Sequence, residues 1–133
     1  MEKIDKETYG QAVSKLVKLA QGDTGGSRVA AQVLLSAYNG DAWQLNIVDL
    51  CVLDKSNYKA ALDVIRGRVE LYIEPHTLIA NGDRIFEELW HSWQRYHVEN
   101  RAKPLCSTCS GSGRRWVDDS TEVVCESCKG KGY

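Results

Sequence analysis

Cys106-Ser-Thr-Cys109-Ser-Gly111-Ser-Gly113 and Cys125-Glu-Ser-Cys128-Lys-Gly130-Lys-Gly132 are two copies of one pattern, C-x-x-C-x-G-x-G, with fifteen residues between Cys109 and Cys125. Two C-x-x-C pairs at that distance have the spacing of a four-cysteine zinc site. The reason is geometric: two thiolates with two residues between them span one edge of a tetrahedron about a metal when the backbone turns tightly. The glycines after each second cysteine suit that turn, because glycine takes positive φ without steric cost. They also let backbone N–H groups approach the sulfurs, which favours thiolate over thiol. Cys106, Cys109, Cys125 and Cys128 are therefore assigned to one structural zinc ion. Four sulfur ligands leave such an ion no open position. A redox-active C-x-x-C pair usually lies at a helix N-terminus, and these pairs lie in glycine-rich knuckles.

Between the pairs, Arg114-Arg-Trp-Val117 and Thr121-Glu-Val-Val124 flank Asp118-Asp-Ser. That is a β-hairpin signature with the turn at its polar centre, so both knuckles meet at the base of one hairpin. Upstream the periodicity is helical. Tyr9, Val13, Leu16, Val17 and Ala20 form one face, ended by Gly22-Asp-Thr-Gly-Gly26. Ser27 is placed to cap a second helix with Ala30, Val33, Leu34 and Ala37 inward. Residues 43–53 allow a short strand by composition, while Leu45, Val48 and Leu53 favour a helix. A further helix opens at Asp54 with Tyr58, Ala61, Leu62, Ile65 and Val69 on one face, and Glu74-Pro75 breaks it. The last helix carries Ile85, Phe86, Leu89, Trp90, Trp93 and Tyr96, before a linker at Asn100–Pro104. The expected fold is mainly α: an all-α domain over residues 5–98 and a zinc-stapled β-hairpin over 105–133.

The 133 residues suit one modest core plus a small appendage. With 43% hydrophobic and 26% charged residues, the composition is that of an ordinary soluble domain. No apolar run is long enough to span a membrane. The charged start, Met1-Glu-Lys-Ile-Asp-Lys-Glu, has no apolar signal stretch, so a cytoplasmic protein is expected. In a reducing compartment, paired cysteines favour metal over disulfide. The formal charge of −1 divides unevenly: residues 101–133 carry six Lys/Arg against four Asp/Glu. Zinc with four thiolates adds a local charge of about −2, so the loaded module is near neutral. A nucleic-acid-binding domain usually has a clearer basic excess.

Other chemistry-bearing residues read as structural. Cys51, among Val48, Leu50, Val52 and Leu53, reads as a buried small hydrophobe. His76, His91 and His97 share no metal-binding spacing and are assigned to surface or capping roles. Trp90, Trp93 and Tyr96 read as a core stripe. Gly22-Asp-Thr-Gly-Gly-Ser27-Arg28 resembles a phosphate cradle but lacks the Gly-Lys-Ser/Thr of a P-loop, and is read as a capped interhelical loop. Arg114, Arg115, Lys129 and Lys131, interleaved with Trp116 and Tyr133, admit two readings. They could grip a nucleic acid, or they could balance a dianionic zinc centre.

The last 28 residues resemble the cysteine-rich repeat of DnaJ-type co-chaperones, in which four C-x-x-C-x-G-x-G repeats bind two zinc ions. Two repeats here would bind one. There is no His-Pro-Asp tripeptide, so the J-domain signature of that family is missing. The same hairpin is similar to the zinc element of lambda-type phage antitermination Q proteins, extending to Gly113-Arg114 and to Cys128-Lys-Gly-Lys-Gly-Tyr133. No nucleophile–base pair, open metal site or cofactor loop is visible, so an enzyme is not expected. The expectation is a zinc-binding regulatory or adaptor protein, possible in a phage or prophage setting, that engages a macromolecular complex through a protein partner. The Q-like resemblance implies an alternative, a nucleic-acid-binding transcription regulator. The DnaJ-like one implies a chaperone-like holdase.

Overall fold

The computed structural model describes residues 2–133, and the fold is mainly α with a small C-terminal hairpin. The chain divides into two compact units, one ending at His91 and the other Ser92–Tyr133. In the first, α1 (Lys6–Ala20) starts where the Asp5 carboxylate accepts the Thr8 N–H at 2.7 Å. Its buried face is the expected one, with Ala12 added. Helix α2 (Gly25–Tyr38) is capped by Thr24, whose Oγ1 accepts the Ser27 N–H at 3.0 Å. Ser27, expected as the cap, lies inside the first turn and is buried. All residues from Val29 to Leu35 are buried, and α2 packs on both α1 and α3.

Helix α3 (Lys55–Leu71) opens on Asp54, whose carboxylate accepts the Asn57 N–H at 2.8 Å. It ends at Tyr72, in the left-handed region with φ 59°. The face expected to be buried is largely turned outward. Tyr58, Leu62 and Val69 are exposed, and the core is met by Ala60, Ala61, Val64 and Gly67. The reason is close approach. A Cβ at Gly67 would lie 2.2 Å from Cγ of Tyr9, so the bare backbone is the floor on which that ring rests. Tyr9 is fully buried, and its hydroxyl donates to the Ile73 carbonyl at 2.6 Å. Burial pushes its pKa up to about 12.

Residues 43–46 are irregular and Ile47–Val52 form a 3₁₀ turn, so the stretch is helical only in this tighter form. It lies at the surface. Ile47, Val48 and Val52 are exposed, and so is Cys51, which the sequence places inside. Trp43 alone of this region is fully buried, edge-on to Trp90 with ring centroids 5.4 Å apart. Helix α4 (Gly82–Ser92) follows a 3₁₀ turn at Pro75–Leu78 and buries Phe86 and Leu89. Tyr38 joins this cluster, 5.2 Å from Phe86 and 5.0 Å from His76. Trp90, Trp93 and Tyr96 are not one stripe, because α4 stops at Ser92. All three are half-buried, and the Trp93 and Tyr96 rings lie tilted to each other with centroids 6.2 Å apart.

The second unit contains the antiparallel strands β1 (Arg114–Trp116) and β2 (Glu122–Val124), paired Arg114 with Val124, Arg115 with Val123 and Trp116 with Glu122. Asp118 makes the turn, its carboxylate accepting the N–H groups of Ser120 at 2.8 Å and Thr121 at 2.7 Å.

Gly67→Ala should cost the helical unit about 2–3 kcal/mol, since neither a buried ring nor the backbone beneath it yields easily. Tyr9→Phe should cost only about 1 kcal/mol for the lost hydrogen bond; urea denaturation followed by far-UV circular dichroism checks both. The phenol titrates near 10 when unfolded and about 12 when folded. Its contribution is complete below pH 10 and is lost as the pH rises through 12. Tyr9→Phe should therefore flatten the alkaline fall in stability.

Candidate metal centre

Cysteines 106 and 109 precede β1, and cysteines 125 and 128 follow β2, so the hairpin carries one pair back to the other. Among the described residues these four form the group able to hold a metal, with all sulfurs within 4.8 Å of one another. Cys106 Sγ lies 3.9 Å from Cys125 Sγ, and Cys109 Sγ lies 3.7 Å from Cys128 Sγ. A tetrahedral zinc ion with Zn–S of 2.3 Å has S···S edges of about 3.8 Å. Disulfides would need about 2.0 Å. The donor set and its spacing fit a single tetrahedral metal ion with four thiolates.

The two knuckles have matching geometry. Gly113 N–H donates to Cys109 Sγ at 3.2 Å, and Gly132 N–H donates to Cys128 Sγ at 3.2 Å. Cys106 N–H donates to the Gly132 carbonyl at 2.9 Å, and Cys125 N–H to the Gly113 carbonyl at 2.8 Å. Each knuckle thus ties the other's last glycine. Those glycines are required twice over. Gly113 and Gly132 have φ of +78° and +87°, and a Cβ on either would fall 2.5 or 2.6 Å from a carbonyl oxygen of the opposite knuckle. Ser110 and Lys129 also adopt positive φ, 56° in each case. At the junction, the Thr108 hydroxyl donates to the Ser127 hydroxyl at 3.0 Å.

The electrostatics favour metal-ready thiolates unevenly. Burial pushes the Cys109 thiol up, but the N–H groups of Gly113 and Gly111 and the neighbouring thiols outweigh it and bring the pKa down to about 6. Cys106 is lowered chiefly by the Cys109 N–H. Cys128 is raised, because burial there outweighs the Gly132 N–H. Cys125 and Cys128 are buried, while Cys106 and Cys109 are half-buried.

Of the other candidate contact residues, Arg114, Arg115 and Trp116 lie on β1 and are exposed. Arg114 is paired with Glu122 at 3.1 Å. Lys129 and Lys131 are exposed on the second knuckle. The ammonium of Lys103 sits 4.4 Å from the Tyr133 ring centroid, and that of Lys131 sits 6.0 Å away. The structure also assigns a role to Arg95, which sequence reading passed over. Its guanidinium donates to the carbonyls of Asn100 and, at 3.1 Å, of Lys103, and its Cβ lies against Gly132. Asn100 in turn donates to the Gln94 carbonyl at 2.6 Å. Residues 94–103 are thereby folded against the second knuckle. Only an arginine near the knuckles signals this, and its partners are main-chain carbonyls without sequence identity. Among the described residues no histidine belongs to this group of ligands, and His97 Nδ1 accepts the Glu99 N–H at 3.1 Å, a local capping role.

Purified protein should hold about one equivalent of zinc, released by a thiol-reactive mercurial. Cobalt substitution should give the visible bands of a tetrahedral tetrathiolate. Cys125→Ser should lose the metal and the order of the hairpin while leaving most of the far-UV helix signal, because the helical unit has its own core. Zero or two equivalents would contradict a single site.

Among the described residues no helix is long and apolar enough to cross a membrane. No curated protein and no solved structure matches the chain. A family of unknown function, DUF7673, matches residues 10–94, within which none of the four clustered cysteines falls. That match covers well over half of the chain, and the protein belongs to this family.

Proposed function

We propose that this protein is a non-enzymatic, cytoplasmic zinc-binding adaptor whose hairpin is a rigid surface for a protein partner within a larger complex. The observation that carries the reading is the set of four sulfurs at tetrahedral edge distances, 3.7 and 3.9 Å where paired across the knuckles. Four thiolates saturate zinc, so the ion is structural and offers a substrate no coordination site. What it stabilises is a two-stranded hairpin of three-residue strands, too short to be stable alone. Its exposed side chains include Trp116 at 62% and Val124 at 59%, on the same face by strand alternation. An exposed aromatic on a rigid support is the usual anchor of a protein interface. The likeness of the knuckles to the DnaJ-type repeat supports a role in binding rather than catalysis.

A second reading, nucleic-acid binding in transcription control, rests on the exposed Arg115, Lys129 and Lys131 and on the likeness to the Q-type zinc element. It is the weaker one. Arg114 is committed to Glu122, and the two lysines nearest Tyr133 lie over its ring. Each phosphate contact needs a free cation.

Affinity capture from the native host, with and without nuclease, should retain a protein partner in both cases. Trp116→Ala should reduce that capture at least about tenfold with zinc content unchanged. In gel shifts at low salt the wild type should bind DNA or RNA weakly or not at all. A tight, salt-sensitive complex lost on Arg114→Glu with Arg115→Glu would overturn the adaptor reading in favour of the second.

A further inference from the structure

The first unit holds an open cavity of about 680 Å³, and all the residues that line it belong to that unit. Its walls are the half-buried rings of Tyr38, His76 and Trp90, and its rim carries the exposed carboxylates of Glu74, Asp83 and Glu87. On α4, Asp83, Glu87 and His91 follow one another at intervals of four, with Trp90 beside them, so these residues share one face of the helix. The 3₁₀ turn at Pro75–Leu78 brings His76 to the start of that face. Gly82 permits the approach, since a Cβ there would collide with the His76 carbonyl. Tyr38, the last residue of α2, completes the wall, edge-on to His76 at 5.0 Å and to Trp90 at 6.3 Å.

The charges are one-sided. No lysine or arginine lines the cavity. Among the described residues none is ion-paired with Glu74, Asp83 or Glu87, whereas Asp63, Glu70 and Glu122 each have such a partner. Arg84, next to Asp83 in the chain, is turned to Glu88 at 3.8 Å. His76 does not satisfy the carboxylates either. Its Nδ1 is buried without a hydrogen-bond partner among the described residues, so the proton of the neutral ring is on Nε2. That nitrogen lies 3.4 Å from Asp83 Oδ1 and 3.9 Å from Glu74 Oε2, long for hydrogen bonds. The carboxylate oxygens keep acceptor capacity for a further donor. A single metal ion does not suit them: among the described residues the four cysteines form the group whose ligand atoms converge closely enough to hold one. Carboxylates one helical turn apart, about 5–6 Å at their Cβ atoms, instead suit two ammonium groups on one flexible chain. Aromatic rings attract such cations and are covered well by their methylenes. We propose that this cavity binds an aliphatic polyamine, with one ammonium at Glu74 and Asp83, another at Glu87, and the methylenes against Tyr38 and Trp90. The lining residues all fall within the family match at residues 10–94, and the site is independent of the hairpin's partner.

Calorimetric titration of the full zinc-loaded chain with spermidine should show one site with a dissociation constant on the order of 100 μM. Asp83→Asn with Glu87→Gln, near-isosteric changes at exposed positions, should weaken binding at least about tenfold with the far-UV helix signal unchanged. A control with the same change of charge, Asp23→Asn with Asp119→Asn, alters exposed acids outside the cavity and should leave binding as it was. No heat with spermidine at millimolar concentration would overturn the proposal. So would equal weakening by the two variants, which would reduce the effect to net charge, or displacement of spermidine by an equal concentration of magnesium. Tighter binding of a capped dilysine peptide than of spermidine would also overturn it, and would give the cavity to the side chains of another protein.

Discussion

Four sulfurs gathered within 4.8 Å of one another are the constraint on which the second unit depends. A hairpin of two three-residue strands has almost no interior, and such a pair is marginal in water by itself. A metal ion held by these four sulfurs would supply the cohesion that a hydrophobic core otherwise provides. The backbone then has little freedom. Positive φ at Gly113 and Gly132, N–H groups aimed at Cys109 and Cys128, and the reciprocal bonds from Cys106 and Cys125 to those glycines all serve the same sulfur positions. A repeated eight-residue pattern has become an approximately two-fold arrangement because both copies solve one geometric problem.

The helical unit is organised by a different constraint, the contact between the Tyr9 ring and the backbone at Gly67. It sets how near α1 and α3 come, and the Tyr9 hydroxyl fixes the chain beyond α3 through the Ile73 carbonyl. The family match falls within residues 10–94, where most of this packing lies, and the clustered cysteines fall outside it. The chain thus joins the helical region that the family shares to a hairpin that carries the four clustered cysteines.

The metal site was legible in the sequence because its information is local. Cysteine spacing, the glycines and the Asp118 turn each act over a few residues, and the structure follows them closely. Helix existence was equally legible from periodicity. Which side of α3 meets the core was not. Periodicity reveals a stripe, but inward orientation depends on a neighbour's shape, and here the neighbour at Gly67 is a tyrosine ring that leaves no room for a Cβ. The 3₁₀ turn at Ile47–Val52 misled for a related reason: its apolar residues, Cys51 among them, are exposed, so composition suggested burial that packing does not supply. The role of Arg95 lay beyond sequence reading because it binds main-chain carbonyls brought near it only by folding.

These departures have one physical origin. Large apolar side chains are ordinarily used up in building a core, but the hairpin is too small to bury most of its own, and α3 meets the core of its unit mainly through small residues. In the hairpin a cluster of four cysteines able to hold a metal stands where a core would, leaving Trp116, Val117 and Val124 outside. On α3, small residues allow so close an approach that the helix packs through Ala60, Ala61 and Gly67, leaving Tyr58, Leu62 and Val69 outside. Exposed apolar surface carries a standing risk of aggregation, and part of it lies on regular backbone, on the hairpin strands and on the capped helix α3. Rigid apolar surface loses little entropy when it is covered, so the same sites that a core would have claimed are the ones best prepared to bind.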